Sequence, residues 1–246
     1  AKTMSAVSKV KVPLTTSPRF QKEAAEIALQ MSQFSVDELE RLLRVNAKIA
    51  VENYKRYQAF HAEATPELPA LLAYTGIVFK RLNPKDFSAE DFGYAQEHLR
   101  LTSFCYGLLR PLDVIRAYRL EGDVVLPELG NQTLFSYWRS RLTDTFIEDI
   151  RSAGGILCNL ASDEMKSLFD WKRVESEVRV VTPEFHVWKN GKLATIVVYT
   201  KMSRGEMTRF ILKNKIGNPE ELKGFSWEGF EFDESLSDER KLVFIN

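Results

Sequence analysis

The sequence predicts an α+β fold, a single domain over residues 1–246 in which helices surround a mixed central sheet. The clearest signal is an antiparallel hairpin, because two β-rich runs flank Asn190-Gly191, a dipeptide that fits a two-residue hairpin turn. A second signal is a helix from Thr133 to about Ser152, whose apolar residues recur at helical spacing. Helices and strands alternate irregularly along the chain, which favours an α+β arrangement.

Capping patterns mark where the other helices begin. Ser17-Pro18 predicts a helix to about Phe34, and Ser35 to Glu38 forms a capping box for the next one. A third helix is expected to end near His61. Further helix starts are predicted at Thr65, Ser88, Ser162, Ser203 and Asn218.

Short apolar runs between turn signals predict the remaining strands. They are residues 99–109 (a buried strand), 155–161 (a central strand), 194–199 (leading into a helix from about Gly205 to Ile216) and 241–245 (the last strand). Residues 74–82 are expected to be extended or loop-like.

Composition excludes several classes of protein. The 34 basic and 34 acidic residues give a formal net charge of zero, so the overall charge does not indicate a nucleic-acid partner. No apolar run reaches membrane-spanning length, and no signal peptide is recognised. Two distant cysteines do not form a disulfide framework, so we expect a cytoplasmic protein.

Positive charge is nevertheless concentrated in residues 199–215, which hold five basic side chains and one acidic side chain. A capping box starting at Ser203 would place Lys201 and Arg204 at a helix N-terminus, where free N–H groups favour an anion. Gly205 would let a ligand approach the backbone.

Farther along the same predicted helix, Arg209 and Lys213 lie four residues apart on one face. Such a row of cations can follow a phosphate backbone. The alternative is a face that is merely solvated or paired with acids, and the stretch from Glu220 to Glu239 holds eight acidic residues.

Two further segments have both structural and functional interpretations. Residues 109–122 carry Arg110, Arg116 and Arg119, which could clamp carbonyl and carboxylate groups or hold a ligand. Residues 159–164 place Asp163 and Glu164 in the first turn of a predicted helix. Helix capping explains these two acids, whereas the functional interpretation is a metal or general-base site at the end of a strand.

Familiar catalytic signatures are missing. The sequence has no GxSxG, Walker, GxGxxG or HExxH motif. His61, His98 and His186 are scattered, and Cys105 and Cys158 lack the electropositive context of a reactive thiolate. No catalytic residue, cofactor or resident metal is therefore assigned.

Several stretches together resemble the YaaA family of bacterial peroxide-stress proteins. They are AKTM (1–4), YTG (74–76), YGLLRPLD (106–113), YRLE (118–121), NLASDE (159–164), SRGEMTRFI (203–211) and GFSWEGFEFDE (224–234). Their order and spacing run the length of the chain.

The resemblance implies a cytoplasmic protein with a family-specific fold, a mixed sheet wrapped by helices with a basic cleft. It also implies binding to duplex and branched DNA, and protection against hydrogen peroxide linked to DNA repair and iron handling. Members of the family normally have a short apolar strand before the AKT motif; if this protein has it, Lys2 is expected at the end of that strand, directed towards the same cleft as Lys201 and Arg204.

The resemblance further implies a helix-hairpin-helix element, which here corresponds to residues 36–60. The glycines typical of such an element are absent from this range, so Asn46 and Lys48 would take their place. Lys48, Lys55 and Arg56 offer phosphate contacts.

The leading hypothesis is a non-enzymatic, monomeric DNA-binding protein of the oxidative-stress response. Its expected phosphate contacts are Lys2, Lys48, Lys55, Arg56, Arg110, Arg119, Lys201, Arg204, Gly205, Arg209 and Lys213. The alternative is an enzyme acting on a nucleotide or another phosphorylated small molecule, with Asp163, Glu164 or Glu121 as base or metal ligand. A protein-interaction module would require a large exposed apolar patch. The leading hypothesis requires distant basic segments to converge.

Overall fold

The largest sheet is mixed and has five strands. The structure is a computed structural model, and it describes residues 3–246. The strands are β1 Glu67–Pro69, β2 Leu101–Ser103, β3 Gly107–Leu109, β4 Val114–Arg116, β5 Val125–Leu126, β6 Gln132–Thr133, β7 Ile156–Cys158, β8 Arg179–Lys189, β9 Lys192–Ala194, β10 Glu231–Phe232 and β11 Lys241–Ile245. In the sheet the order is β10-β11-β8-β7, and β9 pairs with β8.

Ten α-helices surround the strands in the described part of the chain. They are α1 Gln21–Met31, α2 Val36–Leu43, α3 Ala47–Ala59, α4 Ala70–Ala73, α5 Ile77–Leu82, α6 Ala89–His98, α7 Leu134–Ser152, α8 Asp163–Lys166, α9 Trp171–Glu177 and α10 Val197–Asn214. Short 3-10 helices span Pro84–Asp86, Pro127–Leu129, Pro219–Gly224 and Glu234–Leu236. The predicted α+β fold is confirmed.

Several local predictions are confirmed. The β8–β9 hairpin turns at Asn190 and Gly191, whose φ angles of 52° and 74° lie in the left-handed region that this turn requires. Capping boxes at Ser35 and Ser88 open α2 and α6. The last strand, β11, spans the predicted residues and runs parallel to β8.

Other predictions are wrong because tertiary contacts outweigh local propensity. The first helix begins at Gln21, and a strand rather than a helix follows Thr65. Residues 77–82 form helix α5 instead of an extended segment. The run 99–109 is two short paired strands, and β7 lies at one end of the described strand order rather than at its centre.

Three apolar clusters fill the interior. The largest joins α1, α3, α7 and the β2–β3 hairpin, with Trp138 fully buried at its centre. A second cluster packs aromatic rings between the large sheet and α10, including Phe185 stacked on Phe244 at 5.4 Å. The third is small and includes Leu82 and Phe92, and Val10 and Val12 pack against it. This third cluster holds the N-terminal segment in place.

Candidate functional site

Helix α10 carries five of the predicted contact residues, but it begins earlier than expected. The helix starts at Val197, so residues 197–199 are helical although their β-branched and aromatic side chains favour a strand. Ser203 therefore lies inside the helix and caps nothing. The predicted anion site at a helix N-terminus beside Lys201 and Arg204 is wrong, because that end of the helix lies elsewhere.

Gly205 has a packing role. A Cβ atom at this position would lie 2.3 Å from the carbonyl oxygen of Val78 and 2.7 Å from Cβ of Arg81. Glycine therefore allows α10 to approach α5 closely. This packing explains why position 205 is glycine, without the predicted role of letting a ligand approach the backbone.

Arg209 and Lys213 hold α10 against the segment after α5. Arg209 donates hydrogen bonds to the carbonyl oxygens of Leu82 and Asn83, and its guanidinium pairs with Asp86 at 2.5 Å. Lys213 pairs with buried Asp91 at 2.8 Å. These two cations thus have internal anionic partners.

Asp91 binds a second lysine that sequence reasoning missed, Lys215. Burial acts to raise the pKa of Asp91, but hydrogen bonds from Lys213 and Lys215 outweigh it and hold the pKa well below its usual value. Similarly, the hydrogen bond from Arg209 lowers the pKa of Asp86.

The other predicted cations are dispersed. Arg110 pairs with buried Asp113 at 2.9 Å, and Arg56 pairs with Glu52 at 2.5 Å. Lys48 and Lys55 are exposed on α3, which follows α2 after a short turn, and Asn46 caps α3 by accepting from Ile49 N. Lys201 is exposed on α10, and Lys2 lies outside the described residues.

Charge interactions connect three of the motif segments. Arg119 lies 3.7 Å from Glu121 in the YRLE segment. The pKa of Arg44 is raised chiefly by hydrogen bonds to Asp123, with smaller contributions from the charges of Glu121 and Glu164. The NLASDE segment therefore lies near the YRLE segment.

On its other side, the NLASDE segment faces α10. The pKa of Asp163 is lowered chiefly by its hydrogen bond from Lys166, and the charge of Arg204 contributes further. We call the region formed by Arg119, Asn159, Ser203 and Arg204 the arginine cleft, because it combines residues of all three segments.

Each residue of the arginine cleft has a buried polar atom without a hydrogen-bond partner. Within residues 3–246, the side-chain atoms in this condition are Arg119 Nε, Asn159 Nδ2, Ser203 Oγ and Arg204 Nε. Buried polar groups in folded proteins are almost always hydrogen-bonded, so these four atoms are exceptions. Burial also lowers the pKa of Arg204.

A second basic region was not predicted from the sequence. A cavity of about 770 Å³ is lined by Ser5, Val7, Ser8, Lys9, Val10, Lys11, Leu72, Thr75, Lys85 and Phe87. We call it the lysine groove. Its three lysines are exposed, they form no ion pair with any residue in 3–246, and the lining contains no acidic residue. The alternation of lysine and valine in residues 8–12 was a sequence signal for these exposed lysines, because the valines face the core and the lysines face solvent.

The groove and the cleft meet at the N-terminal segment. Thr75 in the groove donates its N–H to Thr3 O at 2.8 Å. The next residue, Met4, accepts a hydrogen bond at its sulfur from Tyr118 N, at 3.4 Å, and Tyr118 directly precedes Arg119. Thr3 and Met4 thus connect the two regions.

Asp163, one of the three carboxylates of the alternative hypothesis, is poorly suited to act as a base. Asp163 is largely exposed and pairs with Lys166 at 2.8 Å, and its lowered pKa makes it a weak proton acceptor. Glu121 is buried beside Arg119. No group of three or more His, Cys, Asp or Glu among residues 3–246 is arranged to hold a metal ion.

The cysteines are not activated. Burial raises the pKa of Cys105 strongly and that of Cys158 to about 12. Both thiols therefore remain protonated near neutral pH. Among the described helices, none is both long enough and apolar enough to cross a bilayer.

Comparison with known proteins identifies the family. The chain matches the family described as "Peroxide stress protein YaaA" over residues 1–236. The chain belongs to this family. It is similar to a UPF0246 protein of Bacteroides thetaiotaomicron, 99% identical over 246 residues that cover 100% of this chain and 96% of that protein. A UPF0246 protein of Porphyromonas gingivalis is 53% identical over 232 residues, 94% of this chain and 91% of that protein.

More distant members also match along their whole length. A UPF0246 protein of Crocosphaera subtropica is 37% identical over 246 residues, which cover 100% of this chain and 97% of that protein. The resemblance inferred from the motifs is therefore confirmed. Among those motifs, YRLE, NLASDE and SRGEMTRFI supply the arginine cleft.

Proposed function

We propose that the protein acts in peroxide stress by binding duplex or branched DNA through phosphate contacts in the lysine groove, as a monomer in the cytoplasm. The observation that carries the proposal is the set of three exposed lysines, Lys9, Lys11 and Lys85, around a large cavity without acidic residues. Unpaired exposed cations can exchange counterions for phosphates, which is the main source of affinity for DNA.

The lining of the groove suits contacts with the phosphate backbone of DNA rather than with particular bases. Ser5, Ser8 and Thr75 offer hydroxyl groups, which together with lysines are typical phosphate contacts. Phe87 is the one aromatic ring in the lining, and Arg209 and Lys213 lie over it, at 5.8 and 5.6 Å from its centroid. We therefore expect little sequence preference.

This proposal moves the DNA contacts away from the residues predicted on α10. Arg209 and Lys213 are engaged by Asp86 and Asp91, and binding DNA with them would leave those carboxylates without partners. Lys201 is exposed and remains a candidate for a contact beyond the groove.

The test is the affinity of a triple variant, Lys9→Ala/Lys11→Ala/Lys85→Ala, for labelled duplex and four-way-junction DNA, measured by fluorescence anisotropy. We expect affinity to fall by about tenfold or more at moderate salt, because three phosphate contacts are lost. A matched control, Lys22→Ala/Lys172→Ala/Lys192→Ala, removes the same charge from exposed positions elsewhere and should bind like the parent. Parental affinity in the groove variant would refute the proposal.

A further inference from the structure

We propose that a second cavity, at the N-terminal part of α10, binds the planar ring of a nucleobase, and guanine in preference to the other bases. Its volume is about 310 Å³, and its lining includes Arg81, Tyr199, Trp227, Glu228, Phe230 and Asn246. We call it the aromatic pocket. Apolar and aromatic side chains with a few polar groups are the usual lining of a small-molecule site of this size. The ligand is a base and not a phosphate, so the site goes beyond the binding of DNA along the groove.

A tight turn fixes the aromatic wall of the pocket. Trp227 N donates to Phe230 O at 3.2 Å and Phe230 N donates to Trp227 O at 2.9 Å, with φ angles of 48° and 82° at Glu228 and Gly229 between them. The two rings are parallel, with an interplanar angle of 4°. Phe230 is only 2% exposed within the second apolar cluster, and Trp227 packs against that cluster while remaining half-buried. The indole is therefore held in place with part of its surface open.

Helix α10 supplies a second ring. Tyr199 lies in the first turn of the helix and is 44% exposed, and Met202 lines the same cavity three residues later. Aromatic side chains bind nucleobases by stacking, because every base has a π face. Two accessible aromatic rings in one cavity thus favour a flat aromatic ligand.

Arg81 brings hydrogen-bond donors to the pocket. Its Cζ atom lies over the indole of Trp227, 5.3 Å from the ring centroid, and its Nη1 atom lies 3.7 Å from a carboxylate oxygen of Glu206. That separation exceeds hydrogen-bond distance, so the guanidinium keeps donors for a ligand. Stacking on Trp227 uses the face of the guanidinium and leaves its N–H groups at the edge.

Acceptors come from the other polar residues. The carboxylate of Glu228 is exposed at the pocket. Asn246 Nδ2 donates to Glu228 O at 2.6 Å, which leaves Asn246 Oδ1 as an acceptor. The ligand must therefore offer both donors and acceptors at its edge.

The charges exclude an anionic group as the favoured ligand. Glu228 in the lining and Glu206 beside Arg81 outnumber that single guanidinium among the described residues of the pocket. A nucleobase is uncharged and carries donors and acceptors on its edges. Guanine has the adjacent acceptors O6 and N7, which arginine binds in bidentate fashion, and an N2 amino group that can donate to a carboxylate.

The test is a titration of isotope-labelled protein with guanosine, a nucleoside without phosphate, followed through the indole N–H signals of the four tryptophans in an NMR spectrum. Trp227→Phe assigns the signal of Trp227. We expect this signal to shift as guanosine saturates the pocket, because a stacked base changes the magnetic environment of the indole. Trp188 is 57% exposed and does not line the pocket, so its signal is the internal control and should not move.

Two substitutions test the lining. Tyr199→Ala removes one stacking ring and should weaken guanosine binding by about tenfold. Glu228→Gln removes a charged acceptor and should weaken it by about threefold to tenfold. Val197→Ala and Glu239→Gln change exposed residues outside the lining and are the matched controls, which should bind like the parent.

A further comparison identifies the source of the base. Guanosine is compared with a duplex that carries one unpaired guanine, since an unpaired base leaves the stack at low cost. A shift of the Trp227 signal at lower concentration of this duplex than of guanosine supports a base of DNA as the ligand, and the reverse order supports a free nucleoside. The triple lysine variant should keep its response to guanosine, so failure of the DNA proposal leaves this one intact.

Three results would overturn the proposal. The first is a Trp227 signal that guanosine does not move up to its solubility limit. The second is an equal shift of the Trp188 signal, or parental affinity in both Tyr199→Ala and Glu228→Gln, which would mean that the nucleoside binds elsewhere. The third is adenosine binding as tightly as guanosine, which would contradict the assigned contacts of Arg81 and Glu228.

Discussion

The lysine groove and the arginine cleft are both positively charged, yet they differ in almost every physical respect. The groove lysines are exposed and form no ion pair with a described residue, whereas the cleft arginines are partly buried, with acidic neighbours and unbonded Nε atoms. Exposed lysine charge is well screened by salt, and buried charge is screened much less. The comparison teaches that the setting of a cation, more than its presence in a motif, decides what it can bind.

A third group of cations sharpens this contrast. Arg110, Arg209 and Lys213 were predicted as ligand contacts, but each pairs with an aspartate. Arg209 and Lys213 thereby fasten α10 to residues 86–91, and Arg110 also donates a hydrogen bond to Ser17 O. They are partly buried like the cleft arginines, but an aspartate already neutralises each of them. The predictions below separate these three situations.

The largest effect is expected from Gly205→Ala, because α10 borders both regions. Its Ser203 and Arg204 belong to the cleft, and its Arg209 lies against Phe87 of the groove. A Cβ atom would collide with the backbone of α5, so the free energy of unfolding should fall by about 3 kcal/mol or more. Urea denaturation measures this.

Gly217→Ala is the control for that substitution, since a Cβ there meets no atom within 4 Å. If Gly205→Ala were as stable as the control, the close contact between α5 and α10 would not exist as described, and the two regions would be independent.

The next largest effect is the response to salt. Three groove contacts imply a slope of log affinity against log salt of about −2.7, so DNA binding through them should weaken roughly 40-fold between about 50 and 200 mM salt. The triple lysine variant should lose that part of the slope. An unchanged slope in that variant would contradict the assignment of these three lysines to the DNA contact.

Asp91→Asn tests the cations that are purely structural. The substitution removes the buried partner of Lys213 and Lys215, and we expect the free energy of unfolding to fall by about 2 kcal/mol at neutral pH. Because the folded pKa of Asp91 lies below its ordinary value of 3.8, its contribution is present above that pH and is lost as the pH falls. The parent should therefore lose more stability than the variant between neutral pH and about pH 3.

Glu90→Gln, at an exposed position beside Asp91, is the control for that experiment and should keep the stability of the parent. The DNA salt slope of Asp91→Asn should equal that of the parent. A smaller slope would show that Lys213 contacts DNA and belongs with the groove lysines.

The smallest effect distinguishes two hydroxyls of one helix. Thr208→Ala removes a hydrogen bond to Arg204 O and should lower the free energy of unfolding by about 1 kcal/mol. Ser203→Ala removes a hydroxyl that has no partner and should leave stability within about 0.5 kcal/mol of the parent or raise it. Urea denaturation in a buffer without phosphate measures the free energy of unfolding of both variants. A large loss in Ser203→Ala would mean that this hydroxyl is already satisfied in the free protein.

Local signals predicted the parts of the fold whose cause is local. The turn at Asn190 and Gly191, the capping boxes at Ser35 and Ser88, and the long helix α7 all follow from short-range geometry. Motif order also identified the family. By contrast, the start of α10 and the helical state of α5 depend on their mutual packing through Gly205, which no local pattern contains.

The candidate sites were predicted only in part. Arg119 and Arg204 were among the expected contacts and lie in the arginine cleft, but their unbonded atoms depend on neighbours far away in the chain. Lys9, Lys11 and Lys85 were missed because none of them belongs to a recognised motif, although the alternation in residues 8–12 was a usable signal for the first two.

The sequence by itself determined the family, the α+β class and the identity of every charged side chain, because these follow from residue order and short-range propensity. Only the tertiary structure decided which cations are paired, which are exposed and which are buried without a partner. The physical reason is that a charge interacts through space, so the aspartates that neutralise Arg209 and Lys213 lie more than one hundred residues away along the chain.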